Sequence, residues 1–180
     1  MGAKMLRVAR ILFISVAVVL LPAVPSNRTG GAAGFVPEAR GDSRQSLAIV
    51  VNNSNPVDNL SFVELRRIFL GQRSRWPNGH RIVLVMLERG QPERETVLRE
   101  VYRMSENDYR NHFLKGLFTG DVFMSPKTLT SPLVVRKFVF NAPGAIGYLR
   151  ASDVDASVKV IRLDGLLPTD SDYRLQIDTR

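Results

Sequence analysis

The sequence predicts an α/β fold in which a small, mostly parallel sheet is flanked by helices, and three observations carry that reading. Short apolar runs at 47–51 and 82–87 are rich in Val and Ile and lack polar alternation, as strands buried on both faces do. Other stretches place apolar residues three and four apart, the spacing of a helix with one buried face. The two patterns alternate along the chain, the order from which layered α/β structures with parallel strands are built.

The first segment reads as a targeting signal. Lys4, Arg7 and Arg10 precede an apolar run at 11–21, which meets Pro22 and small residues. That is the charge, core and exit pattern of a secretory signal peptide over 1–23, with a cleavage point as late as 33 as the alternative. The run is shorter than the about 20 residues of a membrane span. An uncleaved N-terminal anchor is the other reading; after processing no stable membrane span is expected. Export places the mature chain in the periplasm or outside the cell, and with no cysteine it must stand on its core without disulfides. Residues 24–46, rich in Gly, Ser and Ala, read as a flexible lead-in.

From 47 to 165 the pattern is that of one domain. The strand at 47–51 is followed by a turn-forming segment with Pro56. Ser61 and Glu64 make a capping box, and Leu60 is placed to staple onto Leu65. Phe62, Leu65, Ile68 and Phe69 then share one helical face, and Gly71 supplies a left-handed stop. A polar loop over 73–80 turns at Asn78-Gly79 and feeds the second strand at 82–87. Pro92 suits the first turn of a helix over 92–104, with Val97, Leu98, Val101, Tyr102 and Met104 on its apolar side. Ser105 and Asp108 open another helix, where Tyr109, Phe113 and Leu117 recur every fourth residue and Gly120 lies just beyond the end. Residues 118–130 have no clear period and read as loop. Ser131-Pro132 starts a helix whose buried face is Val134, Val135, Phe138 and Val139, and 142–144 ends it. Two short strands follow at 145–149 and 158–163. Residues 166–180 read as a polar tail.

The charge is modest once the N-terminus is set aside. From Leu47 onward there are 19 basic and 15 acidic residues, a difference of +4, against +8 for the whole chain. A nucleic-acid surface would rest on Arg66, Arg67, Arg73, Arg75 and Arg81 near Trp76, but one tryptophan makes a thin stacking platform, so no nucleic-acid partner is expected. His80 and His112 have no ligand partners at zinc spacing, and neither a nucleophile elbow nor a phosphate-cradling or dinucleotide-binding glycine loop is present. Glu93 with Glu95, or Asp153 with Asp155, fit caps and dipole partners better than an acid–base pair. The expectation is a binding module with no cofactor, no metal and no catalytic residues.

Several motifs follow one another in a recognisable order: Ala48-Ile-Val-Val-Asn52, Asn55-Pro-Val57, Leu60-Ser61, Ile68-Phe-Leu-Gly71, Trp76-Pro-Asn-Gly79 and Ala142-Pro-Gly-Ala-Ile-Gly-Tyr148. Over about 47–163 the chain resembles the substrate-binding proteins of phosphate ABC transporters. The resemblance implies one lobe of a periplasmic-binding-protein-like fold of type II, in a short, single-lobe member. It implies phosphate or another oxyanion as ligand, with Arg89 matching the arginine of the family's anion loop. Where the family has Ser-Gly-Thr, this chain has Glu93-Arg94-Glu95, so Arg94 and the displaced hydroxyl of Thr96 complete the candidate set while two carboxylates oppose an anion. The alternative is a module of the cell envelope that has lost anion binding and docks on another protein or on a second copy of itself.

Overall fold

The computed structural model describes residues 45–177. The chain runs β1 (Gln45–Asn52), β2 (Asn59–Leu60), α1 (Phe62–Phe69), β3 (Val83–Leu87), α2 (Pro92–Val97), α3 (Glu106–Thr119), β4 (Lys127–Leu129), α4 (Pro132–Asn141), β5 (Ala145–Arg150), β6 (Val158–Leu163) and β7 (Gln176–Ile177). The strands form one sheet in the order β2-β6-β1-β5-β3-β4, and β7 joins β1. The α/β class with helices flanking a sheet is as the sequence predicts. The readings of residues 1–44, which hold the export signal and nearly all of the lead-in, lie outside the described residues.

The sheet is mixed where a mostly parallel one was expected. Strand β1 is antiparallel to β5, β6 and β7, while β3 is parallel to β5 and β4 and β2 is parallel to β6. An apolar run buried on both faces records burial but not the direction of its neighbours, so the strand pattern alone could not separate the two arrangements. Burial along β1 is complete from Leu47 to Val51, as its central place requires.

Local signals set the helix ends. Ser61 Oγ accepts from the Glu64 amide and Glu64 reaches back to the Ser61 amide; Ser105 and Asp108 repeat the arrangement at α3. Asp164, from beyond β6, accepts from the Phe62 amide at 3.0 Å and satisfies another free N–H of the first turn. At the other end of α1, His112 Nε2 lies 3.1 Å from the Leu70 carbonyl. That histidine is half-buried and sits against the C-terminus of α1. The helix expected over 92–104 narrows to the six residues of α2, widens into a π turn at Leu98–Tyr102 and stops at Arg103 with φ 55°. The region read as loop over 118–130 contains the end of α3 and all of β4.

The motifs of the resemblance meet in space. Trp76 is buried, and its indole N–H donates to the Gly144 carbonyl at 3.0 Å; the same carbonyl accepts from the Val83 amide. The tryptophan is therefore a clasp between two motifs and not a stacking platform. Asn52 Nδ2 donates to the Val139 and Phe140 carbonyls at 2.9 and 2.5 Å, tying the end of α4 to β1. Gly147 faces Val135 and Val139 of α4. On the opposite face Tyr148 and the π-turn residue Tyr102 pack around Phe69 of α1, since successive strand residues alternate between faces.

The polar tail is corrected for the part described. Tyr173, Leu175 and Ile177 are buried, at 2 %, 0 % and 2 % exposure. Their spacing of two is a strand pattern, and it lays the segment along the start of β1, with Gln45 opposite Ile177. Tyr173 Oη donates to the Leu47 carbonyl at 2.8 Å and the Leu47 amide donates to Leu175 at the same distance.

Candidate functional site

Strand β3 delivers the chain to the site. After Leu87 come Glu88 and Arg89, then Gly90 at φ 83°, a left-handed turn that suits glycine and sends the chain into α2. From the first turn of α2 Arg94 folds back, and its Nη1 donates to the Leu87 carbonyl at 2.7 Å. The first residue of α3, Glu106, meets it. Arg94 Nε donates to Glu106 Oε1 at 2.5 Å and its Nη2 to Oε2 at 3.3 Å, while Arg89 Nε donates to Oε2 at 2.7 Å. One carboxylate is thus clasped by two guanidiniums, one of them in the two-pronged manner that matches a planar acid. The Arg94 guanidinium also lies 4.9 Å from the centre of the Tyr109 ring, a cation over an aromatic face.

Burial separates the partners. Arg94 is 5 % exposed, whereas the Arg89 side chain is 62 % and that of Glu106 31 % exposed. Every nitrogen of Arg94 has a protein acceptor, so a new anion at this place must exchange with Glu106. Burial pushes the Glu106 carboxyl up, but the hydrogen bonds from Arg94 and Arg89 outweigh it and hold the group below its usual 4.5. A carboxyl depressed on folding stabilises the native state above its unfolded value and loses that contribution as the pH falls through the folded one. We expect the urea midpoint to drop on acidification below about 4.5 more steeply in the wild type than in the Glu106→Gln variant. Equal slopes measured by tryptophan fluorescence would count against this ion pair as a source of stability.

Arg89, Arg94 and Glu106 form one end of a groove of about 670 Å³. Helix α3 continues its wall with Tyr109, Arg110, Phe113, Leu114 and Leu117, and the far side is Ser125, Pro126 and Thr128. Leu114 and Leu117 are 59 % and 49 % exposed, so the wall carries apolar surface with no cover from the described residues.

The sequence-predicted residues divide. Arg89 and Arg94 are brought together. Thr96 is not: it is 1 % exposed and faces the interior, away from the groove. Its place on α2, two residues from Arg94, turns it to a different side of the helix. Nor do the two carboxylates oppose an anion there. Glu93 is buried and paired with Arg150, which also reaches Gln45, and Glu95 is exposed outside the groove lining. The residue that sequence reasoning missed is Glu106, whose only local signal was an acid in the first turn of a capped helix.

No family model matches the chain. Solved structures do resemble it. An ABC-type phosphate transport receptor from Vibrio cholerae aligns at 26% identity with a TM-score of 0.58, over 69% of this chain and 48% of that one. A protein assigned as a phosphate ABC transporter substrate-binding protein, with bound phosphate, from Clostridium perfringens aligns at 22% identity with a TM-score of 0.58, over 69% of this chain and 47% of that one. PstS from Borrelia burgdorferi shares the fold at 12% identity with a TM-score of 0.55, over 69% of this chain and 49% of its own. The resemblance read from the motifs is therefore carried by the structure: the fold is that of the phosphate-transporter binding proteins, and the chain spans less than half the length of these neighbours.

Proposed function

We propose that the chain is an exported recognition module of the phosphate-receptor type, which binds an oxyanion through Arg89 and Arg94 and catalyses no reaction. The observation that carries this is the convergence of both guanidiniums on one carboxylate. Two arginines that clasp paired carboxylate oxygens present the donors that a phosphate takes. Glu106 then stands where the ligand's oxygens would be, and binding is an exchange of one anion for another. The likeness to phosphate receptors supports the same ligand class, and the basic and apolar residues of 4–21 support export.

Titration calorimetry with inorganic phosphate tests it. Removing the resident charge in the Glu106→Gln variant is expected to tighten phosphate binding about tenfold, the scale of one lost competing ion pair. Adding Arg89→Ala to that variant is expected to reverse the gain. Absence of heat in both the wild type and the Glu106→Gln variant, with circular dichroism showing both folded, would remove the oxyanion reading.

A second reading has its own observation. Phe118, in the last turn of α3, and Phe123, four residues past its end, are 84 % and 61 % exposed, and large uncovered aromatics mark contact surfaces. Under it the module docks on an envelope protein or on its own copy. Light scattering after size exclusion is expected to show a dimer that the Phe118→Ser variant dissociates; a monomer that retains no envelope partner would sink it.

A further inference from the structure

The groove is much larger than an inorganic anion and only one end of it is charged. Its volume of about 670 Å³ lies in the range of roughly 300–1,000 Å³ that holds organic ligands, and a bare phosphate would occupy a small part of it. Beyond the arginine end the wall is the Phe113 ring, Leu114, Leu117 and Pro126. Leu114 and Leu117 are about half exposed, so water covers apolar surface that a ligand's own apolar body would cover at a gain. The charged end is complementary to an anion. Arg89, Arg94 and Arg110 line it against Glu88 and Glu106, and among the described residues the Arg110 guanidinium has a single hydrogen bond, 3.5 Å to Asn107.

We infer that the groove takes an organic anion with an apolar body, such as an alkyl phosphate, its headgroup on Arg89 and Arg94 and its chain along α3 towards Leu117. This rests on the oxyanion reading and names the ligand class for the same site. It also gives the exchange with Glu106 a driving force. A bare phosphate trades one anion for another with little net gain, whereas an amphiphilic one adds the burial of its chain against Leu114 and Leu117.

The test is a calorimetric series on the full chain with inorganic phosphate and butyl, hexyl and octyl phosphate below their aggregation thresholds, with octanol as the uncharged control. Affinity is expected to rise about threefold to fourfold per methylene, the value of burying one CH₂, until the groove is filled. The Leu117→Gln variant, an uncharged change at a half-exposed position, is expected to flatten the rise in affinity with chain length. Affinity independent of chain length, with phosphate still bound, would overturn the inference and leave the oxyanion reading intact. Octanol binding as tightly as octyl phosphate would overturn the headgroup assignment. Silence across the whole series, in wild type and in the Glu106→Gln variant, would overturn both.

Discussion

A chain shortened to end at Gly165 is expected to lose most of its folding free energy. The residues removed include Tyr173, Leu175 and Ile177, each almost fully buried. Burying such side chains stabilises by about 2 kcal/mol apiece, so roughly 6 kcal/mol of favourable burial goes with them. That compares with a total of about 5–15 kcal/mol for an ordinary domain. Shortening also strips partners from β1, because the Leu47 amide donates to Leu175 and its carbonyl accepts from Tyr173. The entropy of ordering the segment is recovered, which returns part of the loss. Urea unfolding followed by the fluorescence of Trp76 should show a midpoint shifted strongly down, or no cooperative transition. A midpoint within error of the full chain would mean that 166–177 packs without contributing.

The Gly144→Ala exchange is expected to be the most damaging single methyl in the domain, on the order of 4 kcal/mol. A Cβ at this position would lie 1.9 Å from the Arg81 carbonyl oxygen and 3.0 Å from its carbon. Both are main-chain atoms, so no side chain can swing aside and the segments that enter β3 and β5 must separate. The separation strikes the Gly144 carbonyl, which holds both the Trp76 indole and the Val83 amide. A red-shifted, more quenchable tryptophan emission should therefore accompany the lowered urea midpoint. The Gly147→Ala variant is the control. There the nearest atom is a Val135 methyl at 3.1 Å, which yields by a few tenths of an ångström, and the loss should be markedly smaller. Equal losses in the two variants would refute the main-chain explanation.

What could be read from the residues depended on the distance over which each signal acts. The boxes at Ser61 with Glu64 and Ser105 with Asp108 close within one helical turn, and both form as expected. The left-handed Gly71 and Gly120 are equally local, and the chain needs no other element to demand them. Arg89 and Arg94 were named through the resemblance to an anion loop, and the structure sets both on Glu106. Strand direction was not legible, since the partners of β1 lie far along the chain and nothing within Leu47 to Val51 distinguishes their orientation. The packing of Tyr173, Leu175 and Ile177 left a faint trace in its alternation, too short and too closely set among charges to stand out from a tail. Glu106 is the instructive miss. Its place at a helix start explains an acid fully, so nothing local pointed to the two arginines that claim it.

The central position of β1 also sets the order in which the molecule can be assembled. Its partners β5, β6 and β7 begin at Ala145, Val158 and Gln176, while β1 itself begins at Gln45. As the chain is made, β1 therefore emerges before every strand that pairs with it. Until about residue 150 has appeared, Leu47 to Val51 has no strand to pair with, and pairings of such long sequence separation form slowly. The interval is one of exposure to wrong partners, and the fold is decided by its final third.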